Sequence, residues 1–552
     1  MERLEDVLVF DENFDKKIFS LSTQLMFSGK KLSLRCILGF LCEMIKLGHN
    51  CVYVDENTIH PDPQILLQSK NINFSENFLF ELKQKIKEGF FSLTAEDKVQ
   101  EVDRQTVDIQ MPFCLFQKKY LYTQKSFTLE NLSHFHFIRL SKNPSSYSFL
   151  KESFLSDLEK LEKDSALLTD QAQAIKMFYS YNFSMICGGP GSGKTYTIQK
   201  LIDLVLKNWD EKQKQFLKVV LAAPTGKASQ KLKNFASGSR LPFIDIEAKT
   251  IHSLLGINKT FSHKKNHYLD ADIIIVDEAS MIDQEQMALL LQRISLDTKV
   301  VLVGDPHQLP PVESTGFFSE MIELQERTTF LPKQMRFLNQ AMEGLTKVLL
   351  SGSWDDFKKV LSKEENLFWI QLNEKGGWNA IVPFLQKFSY KTYDQAFKQI
   401  EDFSILSCLK HGFFGSDHIN HKIQEYFSNE APEVYKPIMI LKNEPDLNLY
   451  NGMMGIYHSL SNQAYFKEVN KPIPLFLLPE YEYGYALTVH KSQGSEFQRV
   501  LLIIPPGSEV FGKEILYTAA TRAKEKLYIL ADEKTLRALF ENVQTKMTGF
   551  NL

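Results

Sequence analysis

The 552-residue sequence predicts an α/β protein with two parallel-sheet domains, a helical N-terminal domain and a small β insertion in the second sheet domain. Three observations predict it. A glycine-rich stretch, MICGGPGSGKTYTIQKL from Met185 to Leu201, lies between a short apolar run and a helix-spaced one. From Leu168 onward, short apolar runs alternate with helical patterns, the signature of parallel strands covered by helices. Between Lys436 and Tyr485 that texture gives way to short apolar runs broken by Asn451-Gly452, Pro472 and Pro474.

The glycine-rich stretch carries the most chemistry. Gly188 is followed by four residues and then Gly193-Lys194-Thr195, the spacing of a phosphate-binding loop. Gly188, Gly189, Gly191 and Gly193, with Pro190 and Ser192 among them, let the backbone turn tightly so that several N–H groups converge on one anion. The helix that follows adds its N-terminal dipole, Lys194 supplies a mobile cation, and the Thr195 hydroxyl suits Mg2+. Tyr196 is the next candidate to face a nucleotide. The run Phe183 to Cys187 suits a buried strand, and Ile198, Leu201, Ile202 and Val205 recur at helical spacing. This pattern marks a nucleotide site, with ATP and Mg2+ as the expected ligands.

Length and composition bound the rest. A chain of 552 residues is too long for one core and suggests three or four domains. A net charge of −3 excludes a uniformly basic coat, so any nucleic-acid contact must lie in a local groove. The six cysteines are scattered without a C-x-x-C pair, which fits a reduced cytoplasmic protein without a disulfide framework. The mixed, acidic N-terminus is unlike a signal peptide, and no apolar run approaches the roughly 20 residues of a membrane span.

Residues 1–160 carry no catalytic motif. They hold helical patterns at Leu32–Leu47 and Phe78–Ile86 and one β-like stretch at Phe113–Tyr122. His134 and His136 alternate with aromatics and lack an acidic or cysteine partner at ligand spacing, which argues against a metal. Phe149 to Asp164 reads as a connecting helix. Residues 161–330 then hold expected strands at Phe183–Cys187, Val219–Ala223, Ile273–Val276 and Val300–Val303. Residues 331–552 hold a second series at Ser404–Cys408, Val500–Ile504 and Leu527–Leu530, with the β insertion expected at about 442–483.

Several polar segments fall at the ends of these strands. DIIIVDEAS ends in Asp277-Glu278; a carboxylate there can hold Mg2+ and its neighbour can act as the base toward water. In VVLVGDPHQLPPV, Gln308 has a two-sided amide able to sense a γ-phosphate, and His307 reads as structural. LAAPTGKA, with Pro224 and Thr225, and KTIHSLLG, with Thr250 and His252, offer the hydroxyls, amides and lysines that a nucleic-acid backbone needs. TVHKSQGSEF, with Thr488 and His490, does the same in the second sheet domain. Arg522, in LYTAATRAK, and Arg336, in LPKQMRF, are candidates to stabilise charge on a transferring phosphoryl group once the domains close.

Taken in order, these segments resemble the superfamily 1 DNA helicases over Leu168 to about Leu530. LTDQAQAI resembles that family's adenine-reading motif, with Gln171 as the reader, and GGPGSGKT, APTGKA, VDEASM, GDPHQLPPV, KQMR, VHKSQGSEF and YTAATRAK resemble its successive motifs. Within the superfamily, NGMMGI, TIHSLLG and LCEMIKLGHNCVYV are similar to the RecD branch, the α subunits of exodeoxyribonuclease V (RecBCD). The resemblance implies two RecA-like P-loop domains, an SH3-like insertion, a short pin at Gly256–Leu269, and a partner-docking N-terminal domain. It also implies ATP-driven movement 5′ to 3′ on single-stranded DNA, at duplex ends, alongside RecB-like and RecC-like subunits in a heterotrimer. Pro224, Thr225, Thr250, His252, Thr488 and His490 would lie along the strand, and no nuclease cluster is expected. A stand-alone helicase and a non-catalytic regulatory subunit are the competing readings.

Overall fold

The computed structural model describes residues 31–69, 75–95, 99–106, 108–142, 150–210, 212, 216–237, 243–257, 268–311, 316–323, 327–331, 340–372, 377–385, 388, 390, 392–430, 435–542 and 547–548. Arg336 and most of the expected pin, residues 258–267, lie outside the described residues.

The N-terminal region corrects the expectation of a helical domain. Its helices Lys31–Lys46 and Glu76–Ala95 pack against a five-stranded sheet. The strands are β1 (Cys51–Val54), β2 (Ile59–His60), β3 (Gln100–Val102), β4 (Phe113–Phe116) and β5 (Tyr120–Thr123), in the order β2-β1-β5-β4-β3. These strands are two to four residues long, too short to show alternation, and β4 is buried throughout. The single β-like stretch of the sequence is a hairpin, turned by Gln117 and Lys118 at positive φ of 50° and 59°.

The first parallel sheet contains β6 (Phe183–Cys187), β7 (Leu217–Ala223), β8 (Ile244–Thr250), β9 (Ile273–Val276), β10 (Lys299–Gly304) and β11 (Thr328–Phe330). Its order is β11-β6-β10-β9-β7-β8, and every pairing is parallel. The central strands read as continuous apolar runs because helices cover both faces. Ile273, Ile274, Ile275 and Val276 are all buried, each worth about 1.5–3 kcal/mol of apolar transfer. β8 escapes this pattern because it is an edge strand, only half-buried along its length.

The second half holds β12 (Leu367–Gln371) and β13 (Phe403–Ser407). It then inserts β14 (Tyr435–Ile440), β15 (Met454–His458), β16 (Gln463–Phe466), β17 (Val469–Pro474) and β18 (Tyr481–Tyr483). β19 (Ala486–Thr488), β20 (Phe497–Ile504) and β21 (Ala523–Ala531) complete it. The second parallel sheet runs β12-β21-β20-β13-β19, and the insertion forms its own antiparallel sheet, β17-β16-β15-β14-β18. That sheet begins at Tyr435, one residue from the change of texture at Lys436 and earlier than the start near residue 442 that the resemblance implies.

Hydrogen bonds at both ends of the chain help to hold the N-terminal region in place, beside the packing of Phe137 and Leu140 into the core of the first sheet domain. Arg139, on the helix Gln124–Ser141, donates to the carbonyls of Leu291 (2.9 Å) and Ile294 (2.7 Å) at the end of the helix Gln284–Arg293. At the other end of the chain, the Met547 carbonyl accepts from Asn50 N–H (3.0 Å), and Met547 N–H donates to His49 Nδ1 (2.9 Å). All six cysteines are buried.

Lys299 at the start of β10 is a buried cation. It is 1% exposed, and its ammonium donates to the carbonyls of Phe178 (3.0 Å), Tyr179 (3.2 Å) and Tyr181 (3.2 Å). These are the last carbonyls of the helix Thr169–Ser180, which has no further turn to satisfy them. Lys299→Met leaves the carbonyls buried without that donor. Thermal unfolding is expected to show a loss of about 1–3 kcal/mol, the cost of orphaned buried acceptors.

Candidate functional site

Three neighbouring strands of the first sheet deliver the site. β6, β10 and β9 lie side by side, and their carboxyl ends run into the glycine loop, the Asp305–Gln308 loop and Asp277-Glu278 respectively. Crevices beyond the carboxyl ends of parallel strands are where such sheets bind ligands.

The glycine loop is fastened to its neighbours. Gly188 N–H donates to the Gly304 carbonyl (3.1 Å), which ties the loop to the end of β10. Lys194 Nζ donates to the carbonyls of Gly188 (2.5 Å) and Gly189 (3.1 Å), and the helix Lys194–Asn208 starts at that lysine. Gly193 has a φ of +89°, and a β-carbon there would stand 2.4 Å from Gln171 Nε2. Only glycine meets both conditions. Gln171 itself is buried, with its Oε1 accepting from Leu168 N–H (3.1 Å), so its amide is held against the loop from outside. Tyr196 turns away from this centre: its hydroxyl donates to the Ala166 carbonyl (2.8 Å), and it does not line the cleft described next.

One cleft gathers residues from both halves of the chain. From the first sheet come Gly189, Pro190, Gly191, Gly193, Lys194, Thr195, Asp277, Glu278 and Gln308; from the second come Gly494, Glu496 and Arg522. Glu278 sits at a φ of +53°, a left-handed backbone that costs a glutamate about 1–3 kcal/mol. Its N–H donates to Asp277 Oδ1 (2.9 Å). Its Oε2 is buried and, among the described residues, has no hydrogen-bond partner; Ser192 Oγ and Gln308 Oε1 are in the same condition. Unpartnered buried acceptors are costly, and those of Glu278 and Gln308 belong to residues that line one opening with Lys194 and Arg522.

Across the cleft Arg522 is 3% exposed and held on three sides. Its Nε donates to the Thr518 carbonyl (3.0 Å), Nη1 to the Ser495 carbonyl (3.2 Å) and Nη2 to Thr521 Oγ1 (3.3 Å). The two halves are also pinned beside it. Asp305 is fully buried and accepts from His307 N–H (3.1 Å), Gln308 Nε2 (3.0 Å) and the Tyr517 hydroxyl (3.2 Å) of the second half. Leu309 N–H donates to Thr518 Oγ1 (2.9 Å) and its carbonyl accepts from Gln493 Nε2 (3.3 Å). Burial, with the Asp305 carboxylate, pushes the Tyr517 phenol far up, which keeps it a donor. Sequence reading missed Asp305, Tyr517 and Thr518, although each lies inside a segment it singled out.

Of the remaining candidates, Thr250 and Thr488 end strands, Thr225 follows one, and His252 and His490 lie in short helices. Thr225 follows β7, and its hydroxyl accepts from Ala228 N–H (3.2 Å). Thr250 ends β8, in register with Ala223, and caps the short helix Ile251–Leu255 by accepting from Ser253 N–H (3.2 Å). His252 lines a separate cavity against the N-terminal region, with His49, Lys125 and Asp283. Thr488 ends β19 and accepts from Lys491 N–H (3.2 Å). His490 packs edge-on to Phe511, and burial lowers its pKa to about 4. Burial also lowers His134 and takes His136 to about 4 on the helix Gln124–Ser141.

Two parallel-sheet domains that share one phosphate-loop cleft define a two-domain P-loop NTPase. Comparison with known proteins narrows this. Residues 171–314 match the family described as AAA domain, and residues 483–530 match the UvrD-like helicase C-terminal domain. The chain is 32% identical over 448 residues to RecBCD enzyme subunit RecD of Buchnera aphidicola subsp. Acyrthosiphon pisum, covering 67% of this chain and 74% of that one. It is 30% identical to the same-named subunit of Mycolicibacterium smegmatis, covering 69% and 74%. Among solved structures, two coordinating Pif1 helicases at forked duplex DNA align with 72% of this chain and 94% of that one, at 17% identity and a TM-score of 0.40. The chain belongs to the RecD family.

The depressed His490 pKa gives a signed expectation. Between the ordinary value of 6.5 and about 4, the unfolded chain binds a proton that the folded site refuses. The stability this residue contributes is therefore complete above pH 6.5 and is lost as pH falls toward 4. Denaturant midpoints at acidic and neutral pH should show a smaller acid loss in His490→Phe than in the parent chain.

Proposed function

We propose that this chain is an ATP-dependent DNA helicase and translocase that moves 5′ to 3′, as the motor subunit of a RecBCD-type helicase-nuclease at double-strand DNA ends. The observation that carries the reading is the single cleft lined by Lys194, Thr195, Asp277, Glu278 and Gln308 from one sheet domain and Arg522 from the other. The relatives named as RecBCD subunits support the RecB-like and RecC-like partners, and the resemblance of the motifs to the superfamily 1 DNA helicases supports the substrate and the direction.

Lys194 and the loop amides bind the phosphate chain of ATP, and Gln171 faces the base. Thr195 and Asp277 suit a hard cation such as Mg2+, since both offer oxygen and both line the cleft with the buried, unpartnered Glu278 oxygen. An Mg2+ ion held by Thr195 and Asp277 would supply charge neutralisation to the phosphate chain. Glu278 accepts the proton of the attacking water. Gln308, bonded to Asp305, reports the γ-phosphate to the seam where Tyr517 crosses. Arg522, with Arg336, stabilises the transferring charge only when the domains meet, an effect of ~10³–10⁵ in rate for arginine fingers. Residues 1–160 dock the partner subunits, and each closure shifts the grip of Thr225, Thr250, His252, Thr488 and His490 along the strand. Such grip should weaken with salt as counterions are released.

The test is unwinding of duplexes with a 5′ or a 3′ single-stranded tail, by this chain alone and with RecB-like and RecC-like partners. Unwinding from the 5′ tail is expected, with its complete loss in Lys194→Ala. Glu278→Gln should still bind ATP while hydrolysis falls by at least about 10²-fold, the usual scale for a general base. Absence of DNA-stimulated ATP hydrolysis even with partners would overturn the motor reading.

A further inference from the structure

The segment that follows β7 touches the other half of the molecule twice. At Gly226, a β-carbon would stand 2.5 Å from the β-carbon of Tyr450, so the head of the helix Gly226–Ser237 is pressed against the loop between β14 and β15. One residue on, Lys227 Nζ donates to Ser495 Oγ at 2.7 Å. Ser495 is only 9% exposed, and its carbonyl is one of the three acceptors that hold Arg522. The same turn is fixed by its own N–H, which donates to the Ser492 carbonyl (2.9 Å), and by the ion pair of Glu496 with Lys524 (3.0 Å). Two hydrogen bonds joined through Ser495 thus link Lys227, two residues after Thr225, to the guanidinium in the nucleotide cleft.

We propose that Lys227 is a positioning residue that couples the strand-facing edge of the first sheet domain to Arg522, with Ser495 as the relay. The inference rests on the motor reading above and deepens it, since it names how strand binding reaches hydrolysis. The physical argument is one of range. A 2.7 Å ammonium–hydroxyl bond is lost within about 1 Å of separation. The bond therefore exists only when Lys227 and the Ser495 turn are brought together. Because Ser495 offers its hydroxyl to Lys227 and its carbonyl to Arg522, forming the first bond fixes the acceptor of the second. A strand held at Pro224 and Thr225 sets the helix head, the helix head sets Lys227, and Lys227 sets the turn that presents Arg522.

The experiment measures ATP hydrolysis by the full chain, in the partner complex, at saturating oligo-dT, for Lys227→Met, Ser495→Ala, their double variant and Ser495→Thr. Both single variants are expected to lower the DNA-stimulated kcat about tenfold, within the range of coupled pairs, with KM for ATP unchanged within about twofold. The double variant should be no worse than either single one, and Ser495→Thr, which keeps the hydroxyl, should retain the parental rate. Oligo-dT affinity in the absence of ATP should not change in Ser495→Ala. Losses that multiply in the double variant would overturn the relay, as would parental kcat in either single variant. A loss of oligo-dT affinity in Lys227→Met with kcat intact would overturn it too, leaving Lys227 as a plain phosphate contact. Failure of the motor reading is distinguishable, because the parent chain itself would then show no DNA-stimulated hydrolysis.

Discussion

Asp305 is the constraint from which the arrangement of the cleft follows. A fully buried carboxylate is tolerable only when its oxygens are satisfied, and here the donors come from both sheet domains: His307 N–H and Gln308 Nε2 from one, the Tyr517 hydroxyl from the other. Separating the domains would strip a donor from a buried charge. The same loop continues into Leu309, whose N–H and carbonyl are both engaged by the second half, through Thr518 and Gln493. The seam places Gln308 where the nucleotide cleft meets the domain contact.

This makes the chemistry and the domain contact inseparable. Arg522 draws two of its three acceptors from its own helix end, Thr518 and Thr521, and the third from Ser495. Thr518 also receives Leu309 N–H. The guanidinium is thus oriented by the residues that hold the first domain, and a change in domain spacing is felt at its fork. Glu278, by contrast, is oriented from within the first sheet, by a left-handed backbone and by its bond to Asp277. One wall of the cleft is fixed by the sheet, and the other by contact.

How much was legible in advance differs by element for physical reasons. β6 and β9 match the expected bounds because an isolated apolar run between polar turns can only be a buried strand in this context. The edge strand β8 is partly exposed, carries mixed residues and leaves no such run, whereas the edge strand β12 is an apolar run, LFWI, that is only partly buried. The short strands of the N-terminal region are buried on both faces and too brief to alternate, so a sheet was read as a helical domain. Lys299 gave no sign of its role, since a lysine at a strand start normally faces solvent.

The sequence by itself determined the phosphate loop, the Asp277-Glu278 pair and the order of the segments, because glycine torsions, a lysine at fixed spacing and a carboxylate at a strand end act over a few residues. Only the tertiary structure decided that Arg522 shares a cleft with Lys194, that Tyr517 satisfies Asp305, and that Lys227 reaches Ser495. These pairs are separated by hundreds of residues in the chain, and their meeting depends on which sheet edges face one another. Local sequence specifies the groups; the burial of Asp305 between two domains specifies where they stand.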